Sequence, residues 1–161
     1  MPFSSRNALR SYGFRGFIKV ADLYESNCID VPQQRGVYVV LRENPAEPEF
    51  LPVSPAGWFR GRDPTAPEDT LREKWVPNTK VLYIGKSVYL RKRVRMYIRF
   101  GYGAPIAKWG GRYIWQLADS HDFLICRKIL DDNVNPATEE TRLISKFERQ
   151  YRKLPFANLR H

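Results

Sequence analysis

Three runs of apolar residues, separated by polar stretches, predict the β-strands of this chain. They lie at residues 36–41, at residues 81–84 and within residues 122–130. β-Branched and aromatic side chains dominate all three runs, as is typical of buried strands. The pattern predicts a small central sheet of three strands, mainly antiparallel.

Two segments have the periodicity of amphipathic helices. Residues 89–100 place Leu90, Val94, Tyr97 and Ile98 on one face. The second helix begins after Asn135, because an asparagine followed by Pro136 suits a helix cap and first turn, and it runs to about residue 153. Its apolar face comprises Leu143, Ile144, Phe147, Tyr151 and Leu154.

The order strand, strand, helix, strand, helix predicts an α/β (α+β) domain over residues 30–161. Residues 1–29 are expected to form an N-terminal region, with a loose arm at 1–15 and a short helix at 17–27. Residues 42–80 contain seven prolines and predict a long insertion between the first two strands. Residues 113–118 fit a short helix or a strand equally well.

Glutamates at the start of the last helix differ in their predicted environment. Extending the apolar face backward by one turn leads to Glu140, whereas Glu139 and Glu148 fall about 90° away, toward solvent. A carboxylate in line with a buried face is costly to desolvate without a cation or hydrogen-bond donors. Glu140 is therefore either a solvated residue at the helix start or a metal ligand at the edge of the sheet.

Arg93 raises a similar question in the preceding helix. It lies on the flank of the apolar stripe, four residues before Tyr97 and next to it on the same face. It is either one more surface charge or a functional cation.

The charge distribution favours a polyanionic partner. The chain has 161 residues and a net charge of +10, and residues 74–118 contain ten of its 27 basic residues and no acidic one. The other 17 basic residues balance the 17 acidic ones. Basic side chains neutralise phosphates and aromatic rings stack on bases, although a solvated basic face is the simpler alternative. Candidate nucleic-acid contacts are Arg91, Lys92, Arg95, Arg99, Lys108 and Arg112.

No stretch approaches the roughly 18 apolar residues of a membrane helix. Residues 1–15 do not resemble a secretory signal. We therefore expect a cytoplasmic protein with two reduced, packed thiols at Cys28 and Cys126.

Several of these residues also form a known signature. Gly36-Val37-Tyr38, Tyr83-Ile84-Gly85-Lys86 and the segment from Arg93 to Tyr97 resemble the motifs of GIY-YIG nucleases. The stretch from Tyr83 to Tyr97 looks especially like the nuclease domain that begins a bacterial excision-repair incision subunit. Glu140 with Leu143-Ile144, and Asn158 near the end, resemble the later motifs. The two tyrosine triplets are farther apart here than is usual in the family. The final helix, which precedes Asn158, is also longer than is usual in the family.

The resemblance implies a metal-dependent endonuclease that hydrolyses DNA phosphodiester bonds, in repair or restriction. It implies a site made of Tyr38, Tyr83, Lys86, Arg93, Tyr97, Glu140 and Asn158. Glu140 would hold one Mg²⁺ or Mn²⁺, Arg93 and Lys86 would bind phosphate, and Tyr97 would hydrogen-bond it.

One of the two motif tyrosines would activate the attacking water. Tyr38 is favoured as the base with Tyr83 as its partner, and the reverse assignment stays open. Because a phenol with a pKa near 10 is a poor base, we expect Lys86, Arg93 and the metal to lower its pKa.

Other nuclease designs find no support in the sequence. The chain has two histidines and no paired-histidine metal motif. No acidic residue is followed two places later by lysine, as in the PD-(D/E)xK core, and there is no His-x-Lys, as in phospholipase-D-like nucleases. Two alternatives remain: a non-catalytic nucleic-acid-binding module on the same fold, and a nuclease acting on RNA.

Two features of the substrate complex also stay open. The insertion, with Trp58, Arg60 and Arg62, could be a recognition loop or a lid packed on the core. If the enzyme is site-specific, we expect it to form a homodimer that cuts both strands, and the oligomeric state stays open.

Overall fold

A computed structural model describes residues 3–159 and contains one antiparallel sheet of four strands in the order β1-β4-β2-β3. The strands are β1 (Arg15–Lys19), β2 (Gly36–Leu41), β3 (Val81–Ser87) and β4 (Leu124–Ile129). The helices are α1 (Arg6–Ser11), α2 (Val20–Glu25), α3 (Glu68–Lys74), α4 (Leu90–Gly101) and α5 (Pro136–Tyr151). The α+β class agrees with the prediction, but the predicted number of three strands was wrong.

The fourth strand comes from the N-terminal region, which is not a loose arm in its described part. Residues 15–19, partly predicted as helix, pair with β4 instead. Gly16 and Phe17 have φ values of 105° and 33°, and the register shifts between Arg15 and Ile18. This bulge disrupts the alternation of side chains that identifies a strand in sequence. Residues 1 and 2 of the predicted arm lie outside the described residues.

The first residues also contribute to the core. Phe3, Leu9 and Phe14 are buried, and the Phe3 ring packs edge-on against Phe147 of α5 with centroids 5.4 Å apart. The N-terminal segment and the last helix therefore share one hydrophobic core.

β2 is the most buried strand and separates two cores. Tyr38 and Val40 belong to the core that α4 covers, whereas Val37 and Val39 belong to the core that α5 covers. Successive side chains of a strand point to opposite faces, so the two long helices lie on opposite sides of the sheet. β3 forms one edge of the sheet and contacts both of these helices.

The insertion of residues 42–80 joins β2 and β3, which pair directly, and it packs against the rest of the chain. It contains α3 and is fixed by the buried Gln116, in the 3-10 helix Arg112–Gln116. The Gln116 amide donates to the carbonyls of Leu51 and Ala66 and accepts from the Ala66 N–H. Of residues 113–118, which fit a short helix or a strand equally well, residues 113–116 belong to this 3-10 helix and Leu117 forms an isolated β-bridge with Phe50.

Among residues 3–159, no helix is both long and apolar enough to cross a membrane. Cys28 and Cys126 are buried free thiols, as predicted.

Candidate active site

Three tyrosines from two strands and one helix form an aromatic cluster at β3, the edge strand of the sheet. The Tyr38 ring lies 5.9 Å from the Tyr83 ring and 6.2 Å from the Tyr97 ring, between centroids. Tyr83 and Tyr97 are stacked at 5.6 Å. The two motif tyrosines are therefore neighbours, as the predicted site requires.

Gly85 makes room for this cluster. Tyr38 and Gly85 are register partners in the β2–β3 pair. An added Cβ at residue 85 would lie 2.7 Å from the Tyr38 hydroxyl oxygen and would overlap the ring. The last residue of the Tyr83-Ile84-Gly85 triplet must therefore lack a side chain if the Tyr38 ring is to lie there.

Arg93 points from α4 toward the tyrosines. Among the described residues, its Nη1 atom and the Tyr38 hydroxyl are buried without a hydrogen-bond partner. Burial alone would lower the pKa of Arg93, but the adjacent tyrosine oxygens outweigh this and raise it. The result is a charged guanidinium with one buried nitrogen unpaired among the described residues, and unsatisfied buried groups of this kind commonly mark functional sites.

Glu140 lines two adjoining clefts beside this cluster. A cleft of about 380 Å³ is lined by Glu140, Tyr83, Lys86 and Arg93, together with residues 135–137 at the start of α5. A second, of about 510 Å³, shares Glu140, Tyr83 and Lys86. Residues from β3, α4 and α5 therefore meet around one space.

The Glu140 carboxyl is half-buried and lies near two cationic side chains. Burial raises the pKa of its carboxyl, and the positive charges of Lys86 and Arg93 oppose that rise. Within residues 3–159 its carboxylate forms no salt bridge, in contrast to that of its neighbour Glu139. Its oxygens are thus available to a ligand in the cleft.

The prediction that Glu139 faces solvent was wrong. Its side chain is only 8% exposed and forms salt bridges with Lys128 at 3.0 Å and Arg142 at 2.7 Å. Burial would raise its pKa, but the hydrogen bonds from Arg142 and Lys128 lower it overall. The helical pattern failed here because Lys128 reaches Glu139 from β4, and helix periodicity contains no information about that strand.

Tyr97 and Asn158 lie at the site, and their side-chain polar groups form hydrogen bonds to the backbone. The buried Tyr97 hydroxyl donates to the Gly111 carbonyl at 2.9 Å. The Asn158 amide accepts from the Ile84 N–H and donates to the Ile84 carbonyl, both at 2.9 Å. Asn158 thereby clamps the outer edge of β3, next to Tyr83.

The expectation that cationic residues lower the tyrosine pKa values is not met by Lys86 and Arg93. Burial raises the pKa of Tyr38 more than the charge of Arg93 lowers it. Burial and the neighbouring Tyr38 raise the pKa of Tyr83 well above 10. The two differ in access: Tyr83 lines both clefts, whereas Tyr38 is fully buried beneath it.

The predicted nucleic-acid contacts divide into two groups. Lys108 and Arg112 line the clefts. Arg91, Arg95 and Arg99 instead hydrogen-bond the chain at Val31 and Asn27, away from the clefts, and Lys92 is exposed beside them.

Gly110 and Gly111 also lie at the site, although no motif in the sequence points to them. A Cβ on Gly110 would lie 3.2 Å from the Tyr83 hydroxyl and 3.4 Å from an Arg93 nitrogen, so this turn covers the two side chains closely. The sequence signals them only as a pair of adjacent glycines within residues 74–118, the segment that has ten basic and no acidic residues.

No protein-family profile, curated protein or solved structure matches the chain.

Proposed function

We propose that this protein is a metal-dependent endonuclease that hydrolyses DNA phosphodiester bonds at the clefts beside β3. The observation that supports this most directly is the shared lining of one cleft by Tyr83, Lys86, Arg93 and Glu140. A hydroxyl, two cations and one carboxylate around a space of this kind are suited to a phosphodiester. The GIY-YIG resemblance assigns the same residues to the reaction.

The residues present fit a divalent cation bound largely by the substrate. Among residues 3–159, no group of three or more His, Cys, Asp or Glu side chains could hold a metal by itself. Mg²⁺ is commonly bound by one or two carboxylates plus substrate phosphates and water, and Mn²⁺ shares the preference for oxygen. Glu140 would supply the single carboxylate. The cation would provide Lewis-acid stabilisation of the charge that develops on the phosphate.

Arg93 and Lys86 would hold the scissile phosphate. The Arg93 guanidinium is oriented by its surroundings and has a buried nitrogen without a partner among the described residues. A planar guanidinium can donate two parallel hydrogen bonds to phosphate oxygens, whereas the exposed Lys86 ammonium contributes a mobile point charge. Arg93 would thus be the main protein group that stabilises the transition state.

Tyr83, rather than Tyr38, would contact the attacking water. It is the motif tyrosine that lines the clefts, and its raised pKa keeps the hydroxyl protonated at neutral pH. In that state it orients water, and it becomes a base only as the pH rises. Tyr38 would support the Tyr83 ring from below.

Cleavage of defined substrates tests the proposal. Purified protein would be incubated with supercoiled, nicked, single-stranded and flap DNA, and with RNA of matched sequence, each with Mg²⁺, Mn²⁺ or EDTA. We expect cuts in DNA that require a divalent ion. Binding without cleavage under all conditions would identify a binding module instead, and cleavage of RNA alone would reassign the substrate.

A further inference from the structure

Residues 59–62, within the insertion, form a tight β-hairpin. Phe59 and Arg62 exchange both backbone hydrogen bonds, with N–O distances of 3.2 and 3.1 Å. Arg60 and Gly61 between them have φ values of 52° and 78°. Positive φ at both central positions matches a type I′ turn, which favours Asn-Gly. Arginine is uncommon in this conformation, so the backbone gives no reason for Arg60 to be there.

The tip of this hairpin projects into solvent. Trp58 is 54% exposed, and Arg60 and Arg62 are exposed as well. No atom lies within 4 Å of an ideal Cβ on Gly61. The carboxylate of Asp63, next to Arg62 in the chain, accepts the backbone N–H of Thr65. The tip therefore presents one large aromatic ring and two guanidinium groups.

The base of the hairpin is held firmly. The Ser54 N–H donates to the Thr65 hydroxyl at 2.9 Å and closes the loop, and the Gly57 N–H donates to the Phe100 carbonyl at 2.9 Å. Gln116 fixes the segments on either side through Leu51 and Ala66. A preorganised tip loses little conformational entropy when it binds a ligand.

The hairpin adjoins the candidate active site. The Arg62 guanidinium lies over the Trp109 ring, 5.0 Å from its centroid. Trp109 in turn lines the cleft of about 510 Å³ together with Tyr83, Arg112 and Glu140. DNA bound at that cleft would extend past the hairpin.

We infer that this hairpin enters a groove of duplex DNA beside the cleft and that Arg60 recognises a guanine there. The inference rests on the proposed function only in taking DNA as the substrate. The projecting tip is a single turn closed by one isolated β-bridge, narrow enough to enter the major groove, and an arginine fork donating to guanine O6 and N7 is the commonest specific contact in that groove. Arg60 rests on the Phe59 ring, 5.3 Å from its centroid, and among the described residues its donors have no acceptor. Arg62 instead stacks on the Trp109 ring. In the complex, the exposed Trp58 ring would pack on the sugar-phosphate backbone.

Selection of bound DNA tests this without requiring cleavage. The full chain, in EDTA, would be mixed with duplexes whose central positions are randomised, and bound duplexes would be sequenced. We expect enrichment of a guanine at a fixed position, roughly tenfold over the other bases, as an arginine–guanine pair provides.

Three variants isolate the role of Arg60. Arg60→Asn suits the turn and removes the guanidinium, whereas Arg60→Lys keeps the charge and removes the fork. Both should lose the guanine preference, and Arg60→Lys should keep more of the overall affinity. Arg149→Asn, which removes an equal charge from the exposed side of α5, should bind with the wild-type preference.

The outcomes separate this inference from the proposed function. No enrichment with the wild-type chain, enrichment that persists in Arg60→Asn, or enrichment only from a matched RNA library would each overturn the inference. Enrichment without cleavage of any substrate would support the hairpin's role while overturning the nuclease proposal.

Discussion

The neighbouring glutamates of α5 show how differently two identical side chains can be used. Glu139 is neutralised by Lys128 and Arg142, so it stabilises the junction of α5 with β4. Glu140 lines the clefts and, within residues 3–159, has no salt bridge. A half-buried carboxylate without a partner reduces stability, and such a cost is typical of residues kept for function.

Arg93 should be the most sensitive cation of the site. We expect Arg93→Ala to lower the single-turnover cleavage rate by about 10²–10³-fold, the usual effect of removing one preorganised donor from a developing charge. Lys86→Ala should have a smaller effect because its exposed ammonium is already screened by water. A rate for Arg93→Ala within a few-fold of wild type would transfer the phosphate-binding role to Lys86.

The pH dependence of cleavage should reflect Tyr83. Its pKa is raised well above 10, so the deprotonated fraction rises about tenfold per pH unit throughout the neutral range. The rate should therefore increase from about pH 6 to 9 without a plateau, and Tyr83→Phe should flatten the profile. Identical profiles for the two proteins would exclude Tyr83 as the base.

At the scale of elements, the edge strand β3 depends on a side chain far away in sequence. Asn158 satisfies both backbone groups of Ile84 on the edge that no neighbouring strand covers. These two hydrogen bonds hold the outer edge of β3 next to Tyr83. On the other side of the strand, Gly85 leaves room for the Tyr38 ring. We therefore assign Asn158 a positioning role.

Asn158→Ala should destabilise the protein by about 2–3 kcal/mol, because it removes two buried hydrogen bonds and leaves the Ile84 groups unpaired. Chemical denaturation measures this directly. Cleavage by the folded fraction should persist at a reduced rate. An unchanged free energy of unfolding combined with complete loss of cleavage would instead favour a catalytic contact.

The elements around the site were predictable to different degrees. β2, β3, α4 and α5 could be predicted because each has an uninterrupted local pattern. The residues of the GIY-YIG-like motif in these elements were identified together with them. β1 was missed because Gly16 and Phe17 adopt positive φ and break the period of the strand. The ion pairs of Glu139 and the clamp by Asn158 join distant segments, so no local pattern could indicate them.

For the molecule as a whole, the N-terminal segment is part of the core that supports α5. We expect Phe14→Ala to lower the free energy of unfolding by about 3–5 kcal/mol, since it empties a fully buried aromatic position. If the N-terminal segment were a loose arm, the substitution would leave the free energy of unfolding unchanged. Thermal or urea unfolding of the variant distinguishes the two.

The structure also shows where some of the chain's basic residues lie relative to the candidate site. Lys108 and Arg112 line the clefts, and Arg60 and Arg62 continue the basic surface along the hairpin. Binding to DNA should therefore weaken steeply with added salt, as counterion release requires. The glutamate at the centre of this surface is the residue on which the proposed chemistry depends.

The most direct test compares Glu140→Gln with Glu139→Gln in single-turnover cleavage of plasmid DNA with Mg²⁺ or Mn²⁺, alongside thermal unfolding. Glu140→Gln should reduce cleavage to the background rate while the protein stays folded and binds DNA. Glu139→Gln should lower stability by about 1 kcal/mol, because it weakens partly exposed ion pairs, and should still cleave. Cleavage by Glu140→Gln at the wild-type rate would contradict the account.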